Sequence, residues 1–180
     1  MNTKKINVSL SVSSLENAIK ELKQIKSNIR NINREFIIES LTWIENRANE
    51  YLKSRVYKYP NTANIAMEWK RKLIKDNKGG NFIYELRNQS EVAYFVEFGT
   101  GLVGSENEHE LAEVLGYEYD MNNHGEDGWD FAFEYNGKLF VYKSFTGYEG
   151  KAFLYDAFFD YYHLEQFEII YQRIYDKYIR

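Results

Sequence analysis

All eleven glycines of this 180-residue chain lie between Gly79 and Gly150, and both flanks have none. Inside a helix glycine costs about 1 kcal/mol relative to alanine, so glycine-free flanks are where long helices can form. In the N-terminal flank apolar residues fall at Leu15, Ile19, Leu22, Ile25, Ile29, Ile32 and Phe36, then at Leu41, Ile44, Ala48, Leu52 and Val56. This spacing traces one amphipathic stripe over about forty residues, and at 1.5 Å per residue a continuous helix would reach about 60 Å. A compact domain of this size needs less, so the expectation is a long helix, bent or broken near Asn31–Asn33. Ser13 or Ser14 caps its start, and Pro60 ends the helical region. Ahead of it Ile6, Val8, Leu10 and Val12 alternate with polar residues, the period of a strand with one buried face.

The C-terminal flank carries a second stripe, with Leu154, Ala157, Phe158, Tyr161, Leu164, Phe167, Ile170, Tyr171, Ile174 and Tyr178 running to the end of the chain. Its aromatic residues occupy nearly every face, whereas a surface helix buries one stripe. Two accounts fit. The surplus is core plus tyrosines whose hydroxyls reach water, or a second side of the helix is covered by another subunit.

Between the flanks, strand-like runs at 66–75 and 82–88 are joined across Asp76-Asn77-Lys78-Gly79-Gly80, a hairpin turn composition. Ser90 caps a short helix, 91–98, which stops at Gly99. The stretch 99–129 is irregular and polar, and 130–135 with 138–145 forms a second hairpin across Asn136-Gly137. The expected class is α+β. It combines the long N-terminal helix, a small antiparallel sheet of hairpins with a short central helix, and a long C-terminal helix. One domain, 1–180, divides into an N-terminal strand and helical arm (1–59), a β-rich middle (60–150) and the C-terminal helix (151–180).

Composition narrows the chemistry. The absence of cysteine removes disulfides, thiolate metal sites and a cysteine nucleophile together. With 23 basic and 27 acidic residues the net charge is −4, the wrong sign for a chain whose main task is neutralising phosphates. No sequence-specific nucleic-acid partner is therefore expected. No apolar run is long enough for a membrane span, and the N-terminus lacks a signal-peptide core, so a soluble protein made in a cytoplasm is expected.

Candidate reactive groups are sparse. Glu106, Glu108, His109, Glu110, Asp120, His124, Glu126, Asp127 and Asp130 crowd one stretch, but their spacing fits no rigid metal template, and neither metal nor cofactor is expected. A glycosidase would need two carboxylates facing each other across a cleft, which sequence cannot place. No nucleophile elbow or phosphate loop is present. Lys70, Arg71, Lys72, Lys75 and Lys78 form a basic cluster that reads as a solvated or edge-protecting strand face.

The segment Glu91-Val92-Ala93-Tyr94-Phe95-Val96-Glu97-Phe98-Gly99-Thr100-Gly101 closely resembles the A-x-Y-V-E-F-G-T-G hallmark of the Hong Kong 97 phage gene-product-10-like family. These are neck and tail-completion proteins of long-tailed bacteriophages. Gly150-Lys151-Ala152-Phe153-Leu154-Tyr155-Asp156-Ala157 resembles that family's G-x-P-F-L-x-x-A run before its last helix, and Thr62-Ala63-Asn64-Ile65 looks like a degraded T-G-x-L. Gly116–Asp120 and Gly128-Trp129 occupy the variable insertion. Ala152 stands where proline is usual and Ala63 where glycine is. Proline at 152 would only stiffen a helix start, so that departure looks mild.

The resemblance implies a non-enzymatic virion protein of the head–tail junction, made in the bacterial host cytoplasm. As a ring of identical subunits it would join the tail tube or its terminator to the head connector. Its structural or interface residues would be Tyr94, Phe95, Glu97, Phe98, Gly99, Thr100, Gly101, Phe153 and Leu154. From the residues themselves, Glu97 lies among aromatics and should pair with a base or cap backbone amides. Gly99 and Gly101 should permit a sharp turn and a close approach, and Thr100 can bond its own turn. Two other classes stay open. One is a small enzyme using carboxylates of 106–130, Glu106, Asp120 and Asp127 among them. The other is a toxin or regulator binding a protein through the C-terminal helix.

Overall fold

The computed structural model describes residues 11–56, 66–77, 81–119, 123–135 and 137–179. It is α+β. The first element is helix α1, Val12–Arg55, hydrogen-bonded without interruption for 44 residues. The break expected near Asn31–Asn33 is absent. Asparagine costs a helix only a few tenths of a kcal/mol, whereas Ile32 between the two is 2 % exposed, and burying it is worth about 2 kcal/mol. The strand expected over Ile6–Val12 lies outside the described residues as far as Leu10, and Val12 already belongs to the helix. Pro60 and Thr62–Ile65 also lie outside them.

Next come strands β1 (Trp69–Asp76) and β2 (Phe82–Asn88), which pair with each other. Lys70, Arg71, Lys72 and Lys75 are exposed on β1, while Lys78 lies outside the described residues. Helix α2 (Glu91–Phe98) leads into β3 (Gly99–Thr100) and the single turn α3 (Gly101–Ser105). After α4 (Ala112–Leu115) and a 3-10 turn at Gly125–Asp127, strands β4 (Trp129–Tyr135) and β5 (Lys138–Phe145) form the second hairpin. Strand β6 (Gly147–Glu149) returns to pair antiparallel with β3. Among the described residues the strands thus make three two-stranded sheets rather than one.

The C-terminal helical region is two helices, α5 (Phe153–His163) and α6 (Gln166–Ile179). Glu165 between them takes a left-handed φ of 52°, a conformation that costs a non-glycine residue about 1–2 kcal/mol and that no residue type announced.

Contacts divide the described chain into two compact units, each drawing on all three sequence stretches. The first comprises 11–42, 71–77, 81–85 and 165–179. There α6 packs on α1 through Ile32, Ile170 and Ile174, all buried, with Phe36 edge-on to Tyr171 at 5.5 Å. Glu35 accepts bonds from Lys177 Nζ (2.6 Å) and the Tyr178 hydroxyl (2.8 Å), and Arg30 pairs with Asp76 at 2.6 Å. Leu15, Ile19, Leu22 and Ile29 of the same stripe remain exposed.

The second unit comprises 43–56, 66–70, 86–119, 123–135 and 137–164. Its core holds Ile44, Ala48 and Leu52 of α1 with Val56 just beyond its end, Val96 and Phe98 of α2, and Phe153, Ala157 and Tyr161 of α5. A polar seam runs beside it. Asp160 accepts from Arg47 Nε (2.8 Å) and the Tyr51 hydroxyl (2.6 Å), and Arg55 pairs with Asp156 at 2.5 Å while donating to the Lys151 carbonyl at 2.6 Å.

Candidate functional site

The residues singled out in sequence converge in the second unit, where α2 meets the start of α5. An α-helix begins with orphan N–H groups and ends with orphan C=O groups, and here two helices exchange them. At the end of α2, the carbonyls of Val96 and Glu97 accept bonds from the N–H groups of Lys151 (2.7 Å) and Ala152 (3.1 Å). At the start of α5, the N-cap position is Ala152, whose side chain can accept nothing. The missing acceptor comes from α2. The Glu97 carboxylate takes the Leu154 N–H on Oε2 and the Tyr155 N–H on Oε1, each at 2.8 Å. Of the alternatives weighed for Glu97, capping backbone amides is realised here, and a basic partner, His109, stands beside it as well.

Glu97 is 7 % exposed. Burial pushes its carboxyl up, and the pull of the two N–H groups and of His109 leaves it raised. His109, whose side chain is 4 % exposed, places Nε2 3.4 Å from Glu97 Oε1. Its Nδ1 accepts the Leu111 N–H at 3.0 Å, so the proton of the neutral ring sits on Nε2, facing the carboxylate. The ring lies 4.6 Å from Phe98 and 5.2 Å from Tyr155, centroid to centroid. In sequence His109 stands only as one of the residues crowding 106–130, whereas the structure buries it against Glu97 and Phe98. No spacing rule links positions 97 and 109; the loop simply folds back onto α2.

The glycines explain why the two segments come so close. Gly99 has φ +87°, and a Cβ there would stand 2.5 Å from Gly150 N and 2.6 Å from the Tyr148 carbonyl oxygen. A Cβ on Gly150 would meet the Phe98 carbonyl oxygen at 2.5 Å, so each segment needs the other's glycine. The close approach expected of Gly99 and Gly101 is thus made to the segment 146–150, which contains β6 of the same chain. Thr100 does not bond its own turn: its hydroxyl donates to the Tyr119 carbonyl at 3.2 Å, which also accepts the Gly101 N–H at 2.6 Å.

Tyr117 and Tyr119, assigned in sequence only to an insertion, hold this turn. Tyr117 donates its hydroxyl to the Gly99 carbonyl, and burial pushes that hydroxyl up to about 12, keeping it a donor. The Tyr119 hydroxyl accepts the His109 N–H at 2.6 Å. Ser90 sits at the N-cap of α2 but forms no side-chain cap bond.

The remaining candidates separate. Phe98 and Phe153 are core, whereas Tyr94 and Phe95 are 49 % and 41 % exposed. Leu154 enters through its backbone N–H, which Glu97 holds.

Beside His109 lies an open cavity of about 250 Å³, lined in part by Glu110, Glu149, Tyr155 and Asp156. Of its carboxylates, Glu110 is engaged with the Tyr155 hydroxyl, Glu149 with Lys151 and Asp156 with Arg55, while Glu108 also lines it. Glu106 and Asp127, the candidate acids of the enzyme reading, are exposed and outside it, and Asp120 lies outside the described residues. Among the described residues no three His, Asp or Glu side chains are grouped to hold a metal, and no helix is long and apolar enough to cross a membrane.

What the arrangement does chemically is hold the end of α2 to the start of α5. Comparison with family models, with curated proteins and with solved structures finds no match to this chain.

Proposed function

We propose that this chain is a structural, non-catalytic protein of a long-tailed bacteriophage virion, a tail-completion or neck subunit of the head–tail junction. Copies assemble as a ring through heterologous contacts that close by rotation, joining the tail tube or its terminator to the head connector. The observation that carries the proposal is how the two segments of the resemblance fit each other. Val96–Gly101 and Gly150–Ala157 are interlocked by Glu97 and by the reciprocal glycines, so the residues that make up the resemblance form one unit of structure.

Surface chemistry supports assembly. Tyr94 and Phe95 on α2, with Phe158, Phe159 and Tyr162 on α5, leave large aromatic area in water, and aromatic residues are enriched where subunits meet. Deleting the gene from the phage that encodes it should yield filled heads and separate tails by electron microscopy, restored by the gene in trans. Infectious particles at normal titre from the deletion would overturn the proposal.

A further inference from the structure

Helix α1 runs on toward its N-terminus beyond the places where α6 and β1 meet it. The Asn28 amide donates to the Tyr178 carbonyl at the end of α6 (3.0 Å), and Arg30 holds the end of β1 through Asp76. Over 12–29 the residues Val12, Leu15, Ile19, Leu22, Lys26 and Ile29 follow one another at alternating steps of three and four, the a and d positions of a heptad seam. Its five apolar members are each at least 48 % exposed, and Lys26 is exposed as well. Among the described residues, the large aliphatic side chains that the first unit buries outright are Ile32, Ile170 and Ile174, fewer than this one seam leaves in water.

The seam is charged on one flank. Glu16 and Lys23 each follow a d residue, at position e, and both are exposed. Glu16, Lys23 and Lys26 enter no ion pair among the described residues. The other flank, position g, holds Ser11, Ala18 and Ile25, none of them charged.

We infer that this seam is covered by the same seam of a second copy, the two helices lying antiparallel over 12–29. Full overlap sets Val12 opposite Ile29 of the second copy and Ile19 opposite Leu22, while the stem of Lys26 lies along Leu15. Antiparallel helices bring position e beside position e. At 1.5 Å per residue, Glu16 then stands within about 3 Å along the axis of both Lys23 and Lys26 of the second copy, and the two-fold axis repeats the contact at the other end. Charge therefore names both the occupant and its direction. A parallel pair would press the two Lys26 side chains together and leave Glu16 beside Ser11. The contact is isologous and closes as a pair, so it is separate from the ring contacts of the proposed function and does not rest on them.

The test is a charge exchange on the full chain, read by sedimentation velocity at low salt. Wild-type protein should dimerise. Glu16→Lys alone and Lys23→Glu alone should each dimerise about tenfold more weakly, because two attractions become two repulsions. The double variant Glu16→Lys with Lys23→Glu should recover most of the lost affinity, and so should an equimolar mixture of the two single variants. Leu22→Asp, in the middle of the seam, should be monomeric. Far-UV circular dichroism of the single charge variants, measured dilute, should match wild type, since both side chains are exposed. A wild type monomeric up to millimolar concentration would overturn the pairing and leave the seam to a different protein. Single charge variants that dimerise at wild-type strength, or a double variant no better than either single one, would overturn the antiparallel arrangement.

Discussion

Replacing Glu97 by glutamine tests whether the join between α2 and α5 depends on this carboxylate. The carboxylate accepts two backbone N–H groups at 2.8 Å, one on each oxygen, at the start of an 11-residue helix whose own N-cap residue is alanine. An amide offers one oxygen, so one N–H keeps an uncharged acceptor and the other meets an NH₂ group. Losing a hydrogen bond to a charged group costs about 1.5–3 kcal/mol, and stranding a buried N–H about 1–3 kcal/mol. Removing the buried charge returns part of this, since burial is what raises the carboxyl. The net expectation is a loss of about 2–3 kcal/mol, or about 5–10 °C in Tm for a chain of this length. Trp43, Trp69 and Trp129 all belong to the second unit, so tryptophan fluorescence during urea unfolding reads the unit that contains Glu97. Glu97→Ala, which strands both N–H groups, should lose more. A Glu97→Gln protein within about 0.5 kcal/mol of wild type, the range of an ordinary surface change, would refute this account of the join.

Gly99→Ala should prevent the second unit from folding, because its Cβ would stand 2.5 Å from backbone, whereas Gly116→Ala, with φ +63° and open space around it, should cost only about 1–2 kcal/mol; comparable urea midpoints would contradict this. For Asp160, burial raises the carboxyl but bonds from Tyr51 and Arg47 more than offset it, leaving it below the ordinary 3.8. A depressed acid stabilises the fold fully above its unfolded value and loses that contribution as pH falls through the folded one, so the destabilisation by Asp160→Asn at pH 7 should shrink below pH 3.8. An equal penalty at both pH values would count against the Arg47–Tyr51–Asp160 cluster. Ala152 has φ +43°, which proline cannot adopt, so Ala152→Pro should cost about 3 kcal/mol or more while Ala152→Gly should gain up to about 1 kcal/mol in thermal melts; a harmless proline would refute the left-handed assignment.

What could be read from sequence follows the range of the interactions involved. Both hairpins, the helix 91–98 and its stop at Gly99 come from local periodicity and turn chemistry, and the structure places them within a few residues of expectation. The junction at Leu164-Glu165 carries no such mark, since neither residue favours a left-handed backbone. Within the site, a buried glutamate that caps amides was legible from the aromatics around position 97, but its recipients, Leu154 and Tyr155, were not. The same is true of His109, Tyr117 and Tyr119, whose roles depend on a loop folding back over α2. Ala152 shows the opposite failure. Its departure from proline looked mild in sequence, yet in this backbone proline is excluded at that position.

The site and the surface therefore divide the labour between different residues. Glu97, Gly99, Gly101 and Gly150 are fully engaged within their own chain, by hydrogen bonds or by backbone contacts too close for any side chain, so none is left to meet a neighbour. Substitutions there should act through folding and remove assembly only because they remove the subunit. Tyr94, Phe95, Phe158 and Phe159 are exposed and add little to the core of their own unit, and these are the groups the proposed assembly would use. The segment that makes this chain resemble a ring-forming family is thus the part that builds the protomer. Any ring must be specified by exposed groups instead, such as Tyr94 and Phe95 on the outer side of that segment and Phe158 and Phe159 beyond it.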